Sequence, residues 1–147
     1  MIRTEEVRKV YNAGRPDQVT ALRDVSVAIE RGRVTVVKGP SGSGKTSLLS
    51  AVGCMSRPTQ GRIFVDGRDV VKLPERFLTA LRRRKFGFIF QHFHLIRNVS
   101  VMENVLLPLY PEDIAPAQMK GRALAVLDRF AIAGKKNLKV KNLSGGE

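Results

Sequence analysis

The residues best suited to chemistry lie together in Gly39-Pro-Ser-Gly-Ser-Gly-Lys45-Thr46. A glycine, four further residues, then glycine, lysine and a hydroxyl residue make the P-loop pattern, which holds phosphate groups. Glycine at 39, 42 and 44 lets such a loop wrap with its backbone N–H groups turned inward, and Ser41 and Ser43 add hydroxyls. A helix beginning at Lys45 aims its positive end at the same volume. In that setting Lys45 reaches the β- and γ-phosphates, Thr46 gives its hydroxyl to Mg²⁺, and Ser47 follows in the first helical turn. The competing reading is a flexible glycine-serine turn beside an ordinary surface lysine. It does not account for the strand expected before the motif and the helix expected after it.

Those flanking elements come from hydrophobic periodicity. Val34 to Val37 is a compact β-branched run that reads as a buried strand leading into the loop, and Leu48, Leu49, Ala51 and Val52 fall at helical positions after it. Leu22, Val25, Val27 and Ile29 alternate among polar neighbours as a strand does. Gly61 to Val65 followed by Asp66-Gly67 predicts a strand entering a tight turn, Pro74 to Lys85 a helix with proline in its first turn, and Phe86 to Phe90 a further strand. Ser100 and Glu103 match a capping box for a helix that Pro108 ends or kinks. A second helix starts near Pro116, with Met119, Ala123, Val126, Leu127 and Phe130 on one stripe and Arg122 and Arg129 on the wet face.

With 43% hydrophobic and 27% charged residues, 147 residues suffice for a hydrophobic core. The N-terminus has no signal-peptide pattern, and no apolar run approaches the roughly 20 residues that span a bilayer. The single cysteine, Cys54, excludes an internal disulfide and reads as a small buried hydrophobe. A net charge of +13 suits anionic partners, whether nucleotide, nucleic acid or phospholipid headgroups. His92 and His94 lack nearby carboxylate or cysteine ligands and read as surface polar residues rather than a metal site.

The motifs in this order resemble the nucleotide-binding domain of ABC transporters. Tyr11, upstream of the loop, matches the aromatic ring that the family stacks on adenine; the alternative is a strand aromatic packed in a core. Gln91, closing Phe86-Gly-Phe-Ile-Phe-Gln91, is similar to the Q-loop glutamine, which contacts Mg²⁺ and the attacking water and couples the site to the membrane subunit. Leu143-Ser-Gly-Gly-Glu147 resembles the signature motif, so that Ser144, Gly145 and Gly146 are expected to contact the γ-phosphate held by an opposite subunit. Within the family, the stretch Phe90 to Leu109 and the signature ending in Glu147 look closest to the lipoprotein-releasing and macrolide-export group.

The resemblance implies an α/β fold: a P-loop core of the ABC ATPase type over residues 1–90, then residues 91–147 carrying the Q-loop, the start of a helical subdomain and the signature. It implies ATP and Mg²⁺ as cofactors, and Lys45 and Gln91 as the residues acting on the phosphates. The implied partners are transmembrane transporter subunits and a second ATP-binding domain, in a homodimer or heterodimer. The implied location is the cytoplasmic side of the cell membrane, as a peripheral protein. In the family the signature is followed by a helix, by a strand ending in a metal-linked aspartate and a catalytic glutamate, and by a switch histidine. Residues 1–147 contain none of these and read as a C-terminally truncated domain. Hydrolysis by these residues alone is therefore not expected, and exposed apolar surface is. Two other readings stay open: a non-catalytic ATP-binding fragment, and an ABC-type ATPase acting on nucleic acid, which Arg82-Arg-Arg-Lys85 and Lys135, Lys136, Lys139 and Lys141 bring to mind. Nucleic acid is not the expected partner, because the first run has no base-stacking aromatic within it.

Overall fold

A computed structural model describes residues 1–147, which form two compact units, Met1–Phe88 and Ile89–Glu147. The first unit is built on β1 (Ile2–Tyr11), a ten-residue strand at the centre of an antiparallel sheet. Its early residues pair with β3 (Ala28–Ile29) and its later ones with β2 (Val19–Val25). β4 (Gln60–Val65) pairs with its other edge, and β5 (Arg68–Asp69) lies outside β4.

β1 escapes a periodicity reading because its alternation changes phase. Thr4 and Val7 are both buried although they are three residues apart. The phase changes at Glu6, whose φ of 48° is left-handed, and the register with β4 shifts between Glu5 and Arg8. Gly61 lies against this bulge; a Cβ there would sit 2.4 Å from the Glu6 carbonyl oxygen, so only glycine fits. The Thr4 hydroxyl donates to the Val25 carbonyl at 3.0 Å and accepts from the Val27 N–H at 2.9 Å. It thereby satisfies the backbone where the chain leaves β2 for β3.

The tight turn expected at Asp66-Gly67 joins β4 to β5 with positive φ at both residues, 48° and 82°, as a two-residue type I′ hairpin requires. Helix α1 (Lys45–Val52) and helix α2 (Glu75–Lys85) supply Leu48, Ala51, Val52 and Leu78 to a core shared with Val7, Leu22 and Ile63. Cys54 is buried with them, and burial pushes its thiol pKa up.

Two expected strands are absent. Val34 to Val37 and Phe86 to Phe90 adopt no strand pairing, and Val34 is 92% exposed rather than buried. A strand exists only through its ladder bonds, and the strands of this sheet pair only with one another. Without partners the β-branched run stays irregular, and the apolar exposure expected for it is present at Val34, Val36 and Ile89.

In the second unit, helix α3 (Val101–Leu106) starts on the predicted capping box. The Glu103 N–H donates to Ser100 Oγ at 3.1 Å while the Ser100 N–H donates to the Glu103 carboxylate at 2.7 Å. The hydrogen bonds from Ser100 hold the Glu103 carboxyl below its ordinary pKa. The helix ends where Pro108 enters a 3₁₀ turn over Leu107–Leu109. Helix α4 (Pro116–Arg129) buries Met119, Ala123 and Leu127, whereas Val126 and Phe130 of the expected stripe are exposed. Residues four apart fall on one line along a helix, so α4 buries a seam of that spacing rather than a broad face. Arg122 and Arg129 are exposed as expected. No helix is long and apolar enough to cross a membrane.

Candidate nucleotide site

Gly44 is where the phosphate-type loop meets the sheet. It is the N-cap of α1 with φ 86°, and a Cβ on it would lie 2.3 Å from the Ala21 carbonyl oxygen and 3.2 Å from Leu22 Cδ2. The absence of a side chain is what lets the helix start lie against β2. Gly39, with φ 155°, performs the same service within the loop: a Cβ there would fall 2.6 Å from Ser43 Oγ. The loop closes through the Ser43 N–H, which donates to the Pro40 carbonyl at 3.3 Å.

Lys45 folds over this loop. Its Nζ donates to the Gly39 carbonyl at 2.9 Å, to the Pro40 carbonyl at 2.6 Å and to Ser43 Oγ at 3.4 Å. All three partners are neutral, so no carboxylate in the loop offsets the ammonium charge. That arrangement favours an anion, because exchanging carbonyl acceptors for phosphate oxygens puts opposite charges on the two sides of each bond. The Thr46 side chain is exposed one residue further on.

Tyr11, at the end of β1, is 40% exposed, and its hydroxyl donates to Ser47 Oγ at 3.4 Å. The aromatic ring thus stands beside the first turn of α1, although 36 residues separate the pair. The Lys9 ammonium lies 5.1 Å from the ring centroid and is anchored by donating to the Arg57 carbonyl at 2.6 Å. Lys9 carries no sequence signal for this place; only the strand bulge and the path of Arg57 bring it there.

A second group of predicted residues gathers in the second unit. Gln91, His92, His94, Ser144, Gly145 and Gly146 line a cleft of about 570 Å³. The Ser144 N–H and hydroxyl both donate to one oxygen of the Glu147 carboxylate at 3.0 Å, and Lys135 pairs with its other oxygen. Ser-Gly-Gly-Glu therefore makes half of the reciprocal contact that opens a capped helix. The Glu147 side chain is thus held by Ser144 and Lys135. Asn104, which sequence reasoning passed over, is buried on the same unit and bonds to Ile96 through both ends of its amide.

The loop thus combines a Gly44 whose added Cβ would collide with the Ala21 carbonyl, a lysine whose loop partners are all neutral, and an aromatic ring beside the first turn of α1. The pattern Gly39 to Thr46 is that of P-loop nucleotide-binding domains. The chain belongs to the ABC transporter family, whose model matches residues 22–147. It is 41% identical over 142 residues to the pyoverdine export ATP-binding/permease protein PvdT of Pseudomonas entomophila, covering 97% of this chain and 22% of that protein. It is 36% identical over 148 residues to the lipoprotein-releasing system ATP-binding protein LolD 1 of Rhodopseudomonas palustris, covering 100% of this chain and 66% of that one. Its fold superposes with a TM-score of 0.87, at 36% identity, on the ATP-binding cassette MJ0796 in a dimeric post-hydrolysis state bound to ADP and Pi; the match covers 99% of this chain and 64% of that one. The chain thus spans about two thirds of LolD 1 and of MJ0796, and about a fifth of PvdT. Tyr11 lies outside the segment that the family model matches, so its place beside α1 is an observation of the structure alone.

Proposed function

We propose that this chain supplies the ATP-binding part of an ABC transporter subunit that couples ATP binding and hydrolysis to export or lipoprotein release. The observation that carries the reading is Lys45, held only by neutral groups over a loop whose Gly44 sits at φ 86° against the Ala21 carbonyl. Gly39, Ser41, Gly42, Ser43 and Gly44 line the phosphate cradle, Lys45 and Ser47 reach the phosphates, and Tyr11 offers its ring to the adenine. Thr46 and Gln91 would hold Mg²⁺, which when bound neutralises charge between the phosphates. Lys45 and Gln91 are the residues assigned to the chemical step, Gln91 by orienting water.

Ser144, Gly145 and Gly146 are assigned to the phosphate held by a second copy or a related domain, in keeping with a matched structure that is a dimer. The division of labour follows residues 1–90 for the phosphate site and 91–147 for coupling and the signature. Transmembrane subunits are the proposed membrane partners, on the inner face of the cell membrane. Calorimetric titration with ATP, ADP and AMP in the presence of Mg²⁺ tests the assignment. Affinity should fall as the β- and γ-phosphates are removed; equal affinity for AMP and ATP would show that the loop does not read phosphates.

A further inference from the structure

Of the 26 Lys and Arg residues 18 lie in Met1–Phe88, against 8 of the 13 Asp and Glu, so most of the net charge of +13 belongs to the first unit. The nucleotide reading assigns a role to only one of these cations, Lys45. Helix α2 holds the densest run, Arg82-Arg-Arg-Lys85, and the structure divides it. Arg82 turns inward: its guanidinium donates to the Cys54 carbonyl at 2.6 Å, to the Glu75 carboxylate at 2.6 Å and to Thr79 Oγ1 at 2.9 Å. Lys85 pairs with Asp66 at 3.1 Å. Arg83 and Arg84 are exposed.

Arg76 joins them on one side of the helix. Positions 76, 80, 83 and 84 follow the spacing i, i+4, i+7 and i+8 of a single helical face, and Phe77, seven residues before Arg84, lies on its edge. All five residues are exposed, whereas Leu78 is buried and Leu81 packs against the core. The face carries no carboxylate. Glu75, the one acid of α2, is bonded to Arg82 and lies 4.0 Å from Arg57. The Arg76 guanidinium stands 4.9 Å from the Phe77 ring centroid, and Phe77 is 42% exposed. Guanidiniums on such a face suit phosphate oxygens, which they bind by paired, charge-assisted bonds. The ring among them selects the kind of anionic surface. A headgroup layer gives an apolar side chain a place to enter, and a nucleic-acid backbone does not.

We propose that the outer face of α2, formed by Arg76, Phe77, Ala80, Arg83 and Arg84, docks directly on an anionic lipid surface. The arginines meet lipid phosphates, Ala80 leaves the centre of the face low enough for them to reach, and Phe77 enters the headgroup layer. This contact is made by the chain itself and is separate from any hold supplied by transmembrane subunits. It goes beyond the nucleotide reading and does not depend on ATP binding at Lys45. Each arginine near an anionic leaflet strengthens binding about fivefold, so the loss of two is readily measured.

The test is co-sedimentation of the chain with sucrose-loaded vesicles, of phosphatidylcholine alone and of an equal mixture with phosphatidylglycerol, with the fold of each variant verified by circular dichroism. The chain should bind only the mixed vesicles, and failure to bind them overturns the proposal. Arg76→Gln combined with Arg84→Gln should weaken that binding at least about tenfold. Arg15→Gln combined with Arg23→Gln removes the same charge from exposed positions elsewhere on the unit and should leave most of the binding in place. Equal losses from the two pairs would show a response to overall charge and contradict a docking face. Phe77→Ser changes no charge; it should weaken vesicle binding at least about threefold and leave binding to a short DNA duplex unaltered. Full vesicle affinity in Phe77→Ser refutes entry into the headgroup layer. If the Arg76 and Arg84 pair then lowers binding to the DNA duplex instead, the face is a nucleic-acid surface and the lipid assignment falls.

Discussion

Replacing Gly44 by alanine isolates the contact that sets α1 against β2. Two costs arise. The first is conformational, since φ of 86° is a left-handed value that an L side chain occupies at about 1–2 kcal/mol. The second is steric: the new Cβ would lie 2.3 Å from the Ala21 carbonyl oxygen, a distance that forces the helix start away from β2. Overpacking of that kind costs about 1–3 kcal/mol. Gly42→Ala separates the two, because φ there is 79° but no atom lies within 4 Å of its added Cβ. It should show the conformational cost alone. Urea unfolding without nucleotide reads both, and Gly44→Ala should be less stable than Gly42→Ala by about 1–3 kcal/mol. For a unit of this size that corresponds to a midpoint lower by at least about 4 °C. Equal losses would refute the claim that the close approach to Ala21 fixes the loop.

Tyr11→Ala should weaken ATP binding by about 1–3 kcal/mol through lost base stacking, whereas Tyr11→Phe, which removes only the Ser47 contact, should stay near wild type; fluorescence titration with a labelled ATP analogue checks both. Ser100→Ala deletes the cap of α3 and should cost about 1 kcal/mol, seen as faster amide exchange in Val101–Leu106 with the Lys45 loop unaffected. Asp66 is held down to about 2, chiefly by a hydrogen bond from the Met1 ammonium and then by Lys85. A depressed carboxyl contributes stability that is complete above its unfolded value and lost as pH falls, here between about 4 and about 2. Asp66→Asn should flatten that acid limb in a pH series of thermal melts, and acetylating Met1 should move the Asp66 titration upward by NMR.

The phosphate loop was legible because its chemistry is local: glycine spacing, a lysine and a following helix are all contained in eight residues. The capping box at Ser100 and the Asp66-Gly67 turn were legible for the same reason. β1 was not, because the bulge at Glu6 destroys the alternation that a pattern reading needs. Val34 to Val37 failed in the opposite direction. Its composition is that of a strand, but strand formation depends on partners, and no strand of the first unit's sheet pairs with it. Tyr11 could be placed upstream of the loop by resemblance, yet only the structure shows its hydroxyl against Ser47. Asn104 carried no signal at all: its importance comes from Ile96, eight residues away, and from backbone groups that any sequence would offer.

Titration of Mg²⁺-ATP into the chain and into Lys45→Ala, with the folded state of both verified by circular dichroism, tests the central claim most directly. The account predicts saturable binding by the chain and a loss of affinity of at least about tenfold in Lys45→Ala, with the fold retained. Unchanged ATP affinity in a folded Lys45→Ala would contradict it.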